Sequence, residues 1–199
     1  TRIFFIPVLN PDGLIQVENF LKVNSVVEVE KKLKTFKSFK KNLSPTCKPK
    51  YDITSFENGV DLSHNFGFKW GNLEKNSLQE ASYKNKCSEN FQGASAFSEP
   101  ETEALKKFIL EENPKISVFF QTNLKDEIPN NNDDLNFSTN ILFPFTFHNS
   151  PQKVIRPDDL QGFQKIVADM NANSVKNQFE SGFAIDIIKS TIVGSPIDW

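Results

Sequence analysis

Ile3 to Leu9 is a short apolar run with aromatic and β-branched residues, and Asn10-Pro11-Asp12-Gly13 stops it with four turn formers. This pattern predicts a buried strand that ends in a tight turn. From Val17 to Asn42 the chain is charged and only loosely periodic, with eight Lys between Lys31 and Lys50, as expected of a solvated basic face. Ser44 to Trp70 holds Pro45, Cys47, Pro49 and Gly59 with little periodicity, which predicts a loop leading into Gly59-Val60-Asp61-Leu62-Ser63-His64-Asn65-Phe66. Ser98-Glu99-Pro100-Glu101 has the form of a capping box, with Ser98 as N-cap and Pro100 in the first turn. Ala104, Leu105, Phe108 and Ile109 then recur at helical spacing until Asn113-Pro114. Ile116 to Phe120 and Ile141 to Phe145 read as two further buried strands, separated by the polar tract Asn130 to Asp134. Pro157-Asp158-Asp159 opens another helix, with Leu160, Phe163, Ile166, Val167 and Met170 along one face. Buried strands alternating with helices predict an α/β domain with a mixed, mostly parallel sheet.

Composition narrows the chemistry. The 199 residues include 23 Lys plus Arg, 25 Asp plus Glu, two Cys and two His, His64 and His148. Arg occurs only as Arg2 and Arg156, so neither a three-histidine metal site nor an arginine cluster can be built from this chain. The net charge of −2 gives no general attraction to nucleic acid or to an anionic membrane. No run approaches the ~18 apolar residues of a membrane span. Twenty Phe within a 38% hydrophobic chain supply a globular core. Because the chain begins with Thr1, it is expected to be a processed or partial product.

Several motifs carry a resemblance. They are Ile6-Pro7-Val8-Leu9-Asn10-Pro11-Asp12-Gly13, then Gly59-Val60-Asp61-Leu62-Ser63-His64-Asn65-Phe66, then Cys87-Ser88-Glu89-Asn90-Phe91-Gln92-Gly93 with Phe97-Ser98-Glu99-Pro100-Glu101-Thr102. In this order they resemble the zinc metallocarboxypeptidase family, which includes the carboxypeptidase A and B types. Phe143-Pro144 and Gly194-Ser195-Pro196-Ile197-Asp198-Trp199 are weaker matches to the same family. The resemblance implies one α/β domain over residues 1–199, a central mixed, mostly parallel twisted sheet with helices on both faces. It also implies that the family's N-terminal strands, with a His-x-x-Glu ligand pair, and its C-terminal strand, with the catalytic glutamate, lie outside this span. A sheet without those strands has unpaired edges and bare apolar faces. The remainder of a longer parent chain, or a second polypeptide, is therefore expected to complete it.

Within the span, the family's functional positions carry other residues. The third zinc ligand, a His in the family, corresponds to Gln121 or Thr122, neither a usual zinc ligand. His148 comes too late in the chain to replace it. The Asn-Arg pair that clasps the substrate carboxylate becomes Ser63-His64, and the Arg that polarises the scissile carbonyl falls on Lys40. A Lys or His lacks the bidentate guanidinium fork. The mobile Tyr has no counterpart near Lys189 or Ser190, because the tyrosines are Tyr51 and Tyr83. Glu99 and Glu101 are read as helix-start residues rather than a catalytic carboxylate pair. The resemblance further implies a Cys47–Cys87 disulfide, hence an oxidising compartment and a secreted or lumenal protein. The sequons Asn42-Leu43-Ser44 and Asn136-Phe137-Ser138 agree with that route.

The function expected is that of a carboxypeptidase-like pseudoenzyme, a binding or structural subunit with a protein or peptide partner and no cofactor of its own. The alternative is an active zinc metallocarboxypeptidase that releases C-terminal amino acids, with zinc held by residues outside this span. An anion-binding module using Lys31 to Lys41 and His64 has only charge behind it.

Overall fold

Asn10-Pro11-Asp12-Gly13 starts a helix instead of closing a turn. The Asn10 Oδ1 accepts from the Gly13 N–H at 2.9 Å, and Leu14 N–H bonds the Asn10 carbonyl at 3.2 Å, so Asn10 caps the helix that Pro11 opens. This helix, α1, spans Pro11–Val23. The computed structural model describes residues 2–23, 40–47, 58–73, 75, 77–120, 140–144, 158–173, 180–183 and 195–197. After α1 come a 3₁₀ turn at Leu62–His64, α2 (Leu78–Lys84), α3 (Pro100–Glu112), β1 (Asn140–Phe143), α4 (Leu160–Asn173) and β2 (Glu180–Phe183).

The expected strands at Ile3–Leu9 and Ile116–Phe120 join no ladder among the described residues, and the first is bent at Pro7 and Leu9. A strand is defined by its neighbour's hydrogen bonds, and apolar patterning alone cannot supply one. Ile3, Phe5 and Phe120 stand 89%, 82% and 89% exposed. The first segment leans on α3: Phe4 meets the Phe108 ring edge-on at 5.1 Å, and Arg2 pairs with Glu112 at 2.8 Å.

The third expected strand does form. β1 and β2 pair in parallel, with Asn140 opposite Glu180 and Phe143 opposite Phe183, and α4 is the crossover between them. Phe143 and Val167 are the buried centre of this unit, with Ile141, Leu160 and Phe163 packed around them. Met170, expected on the same apolar face, is exposed. The result is an incomplete α/β arrangement of helices with a small parallel sheet.

Asn65, wholly buried, ties the middle of the chain together. Its Nδ2 donates to the Gln92 and Ser95 carbonyls at 2.8 and 3.0 Å and to Ser98 Oγ at 3.0 Å. Its Oδ1 accepts from Thr102 Oγ1 at 2.6 Å and from Glu99 N–H at 3.3 Å. Gly93, at φ +94°, passes so close that a Cβ there would run into Asn65 Nδ2 and Ser98 Oγ. The N-cap of α3 is therefore Glu99, which makes no side-chain cap bond, whereas Ser98 turns away to Asn65 and Glu99. The expected Ser98 cap gives way to these tertiary bonds. At the other end Asn113 adopts the left-handed conformation, φ 44° and ψ 60°, before Pro114.

Candidate functional site

Residues 60 and 61 run extended between two neighbours. Asn42 N–H bonds the Val60 carbonyl at 3.1 Å, Lys41 and Asp61 form an antiparallel bridge, and Asp61 N–H bonds the Phe91 carbonyl at 2.8 Å. This brings loop 40–47, the 3₁₀ turn and the 88–92 segment to one place. Cys47 and Cys87 are joined by a disulfide, Cα to Cα 4.9 Å, and Thr46 Oγ1 donates to the Lys86 carbonyl at 3.1 Å beside it.

Asp61 is the centre of that place, at 0% exposure. Its Oδ1 caps the 3₁₀ turn, accepting from Ser63 N–H at 3.1 Å and Ser63 Oγ at 2.7 Å. Lys40 Nζ stands 2.7 Å from Oδ2 and also donates to Asn90 Oδ1 at 2.8 Å. Oδ2 has no hydrogen-bond partner among the described residues, so that oxygen is held mainly by charge. His64 Nε2 lies 3.7 Å from the same oxygen. Burial pushes the Asp61 carboxyl toward protonation, but the charges of His64 and Lys40, with the hydrogen bond from Ser63, outweigh it and leave its pKa below 3.8.

α2 supplies the other wall. Ser77 caps it, its Oγ accepting from Glu80 N–H at 3.0 Å, and the last turn presents Tyr83. The Tyr83 hydroxyl is 3.2 Å from His64 Nε2, the two rings are 4.5 Å apart, and Gln79 Nε2 reaches the hydroxyl at 3.5 Å. Burial, with the Asp61 charge adding to it, raises the Tyr83 pKa to about 12 against the Gln79 hydrogen bond. His64 is left 13% exposed at its side chain.

Lys40, Ser63 and His64, quoted from the sequence for their positions, are thus brought together, but around a carboxylate of the protein's own. Asp61 and Tyr83 were not foreseen as site residues. An Asp two positions before a Ser is the local signal for the first, through the turn that Asp61 caps, whereas nothing local marks Tyr83. Glu99 is buried and accepts from Asn42 Nδ2 at 2.7 Å, Ser98 Oγ at 2.6 Å and Ser44 Oγ, so its role beside the helix start is structural. Gln121, Thr122, His148, Lys189 and Ser190 lie outside the described residues.

Among the described residues no group of three or more His, Cys, Asp or Glu could hold a metal ion. Both cysteines are in the disulfide, and His64 is turned to Tyr83 and Asp61. No helix among the described residues is long and apolar enough to cross a membrane.

A sequence model of the family described as Zinc carboxypeptidase matches residues 1–199. Among curated proteins the chain is 26% identical over 144 residues to Zinc carboxypeptidase A 1 of Drosophila melanogaster. It is 25% identical over 144 residues to Mast cell carboxypeptidase A of Homo sapiens. Each alignment covers 71% of this chain and 28% of the relative, so the chain spans little more than a quarter of the relatives' length. A crystal structure of carboxypeptidase A from Helicoverpa armigera matches 96% of this chain and 37% of its own, with a TM-score of 0.56 and 20% identity. That likeness is one of fold.

Proposed function

The chain belongs to the zinc carboxypeptidase family, and we propose that it is a catalytically inactive member, serving as a binding or structural subunit. One observation carries this reading. Lys40, Ser63 and His64, at the positions where family members hold and polarise a substrate, all direct polar groups at Asp61. A base already committed to a buried carboxylate has little left for a second one, and withdrawing it would remove part of the charge that keeps Asp61 ionised.

Residues 1–199 belong to a single domain whose twisted, mostly parallel sheet has helices on both faces and is completed by further strands. The rest of a parent chain or a second polypeptide supplies them. The exposed apolar segments around Ile3, Phe5 and Phe120 support that need for a protein partner. Nucleic acid is not expected as a partner at a net charge of −2. The disulfide supports a secreted or lumenal location. This reading requires no cofactor, and zinc belongs to the active alternative.

The test is metal analysis of the purified full-length protein, together with an assay for release of C-terminal amino acids from peptides. The expected result is no stoichiometric zinc and no release. Stoichiometric zinc with sustained release would establish the active alternative and end this reading.

A further inference from the structure

Asn42-Leu43-Ser44 is an N-glycosylation sequon by composition, yet the fold has already committed every group the modification would need. Asn42 is only 2% exposed. Its Nδ2 donates to Glu99 Oε2 at 2.7 Å, Glu101 Oε2 at 3.2 Å and Ser44 Oγ at 3.3 Å. Its Oδ1 accepts from Val60 N–H at 2.9 Å and Ser44 N–H at 3.3 Å, and its backbone N–H is bonded to the Val60 carbonyl. The Ser44 hydroxyl donates to the same Glu99 carboxylate. Gly59 packs so close to the Asn42 backbone that a Cβ there would strike its main-chain carbonyl.

We propose that Asn42 is a fold-gated glycosylation site, open to a transferase while the chain is unfolded and closed by the Glu99 clasp once it folds. In the transfer, the amide nitrogen loses a proton and bonds the anomeric carbon of a lipid pyrophosphate-linked oligosaccharide, and the lipid pyrophosphate leaves. The product keeps one N–H, where the clasp uses two, and carries a bulky sugar on a side chain that the fold buries. Glycan and clasp therefore exclude one another. The loss falls on the contact that holds loop 40–47, and with it Lys40, to the start of α3. A sequon of this kind makes modification a record of slow folding.

The experiment compares two forms of the full-length protein carrying Asn136→Gln, so that Asn42 alone is read out. One form is native and disulfide-bonded; the other is reduced, alkylated and shown by circular dichroism to be unfolded. Each is incubated with an oligosaccharyltransferase and a dolichyl pyrophosphate oligosaccharide, and occupancy of the Asn42 peptide is measured by mass spectrometry. At least tenfold higher occupancy in the unfolded form is expected. Comparable occupancy in both forms, or none in either, would overturn the proposal. Neither result depends on whether the protein binds zinc or cleaves peptides, so its failure is distinct from a failure of the functional reading.

Discussion

Asp61 is a fully buried carboxylate, and such a group persists only with charge and hydrogen bonds arranged around it. Lys40, His64 and Ser63 supply them, and Tyr83 closes the far side of His64. Stability should then depend on pH at both ends. Asp61 titrates near 3.8 when unfolded and lower when folded, so its contribution is complete above that value and is lost as pH falls through the folded pKa. Tyr83 titrates near 10 unfolded and about 12 folded, so its contribution is complete below 10 and is lost as pH rises toward 12. The expected outcome is that Asp61→Asn removes part of the acid-side slope of a denaturant midpoint against pH, and Tyr83→Phe part of the alkaline one. A wild-type profile reproduced unchanged by both variants would refute this account. The residues at the substituted positions were legible as residue types. Their convergence was not, because it depends on where the turn at 61–64 aims each side chain.

At the scale of elements, the same residues can mark two different structures. Asn, Pro, Asp and Gly favour a tight turn and also the first positions of a helix, and only the continuing hydrogen bonds from Gly13 and Leu14 decide for α1. α2 was missed although Ser77-Leu78-Gln79-Glu80 has the capping-box form, and the structure uses Ser77 in that way. Ser98-Glu99-Pro100-Glu101 has the same form, but its serine is drawn into the bonds around Asn65. Two serines with one local signal therefore predict different losses. Ser77→Ala should cost about 1 kcal/mol in chemical denaturation. It should also shift the His64 imidazole resonances, since α2 carries Tyr83. No change in either would show that the cap is not what holds α2 against His64.

For the whole molecule, the disulfide joins two segments 40 residues apart and sits beside the bonds from loop 40–47 to residues 86–90. Closing a loop of that length restricts the unfolded chain, and its loss should cost roughly 3–4 kcal/mol. Paired Cys47→Ser and Cys87→Ser should lower the unfolding free energy by that amount, and a change under about 1 kcal/mol would show that the surrounding bonds suffice without it. What the sequence by itself determined was local or cumulative: the family, through motifs spread over the chain, the helix at Pro100–Glu112, the β1 strand, and the poverty in His and Arg. Tertiary structure decided which polar groups satisfy one another. Asn42 and Glu99 are 57 residues apart, and Lys40 meets Asp61 from a separate segment of the chain. Periodicity and capping act within a few residues, whereas a buried amide or carboxylate must find its partner wherever the folded chain brings one.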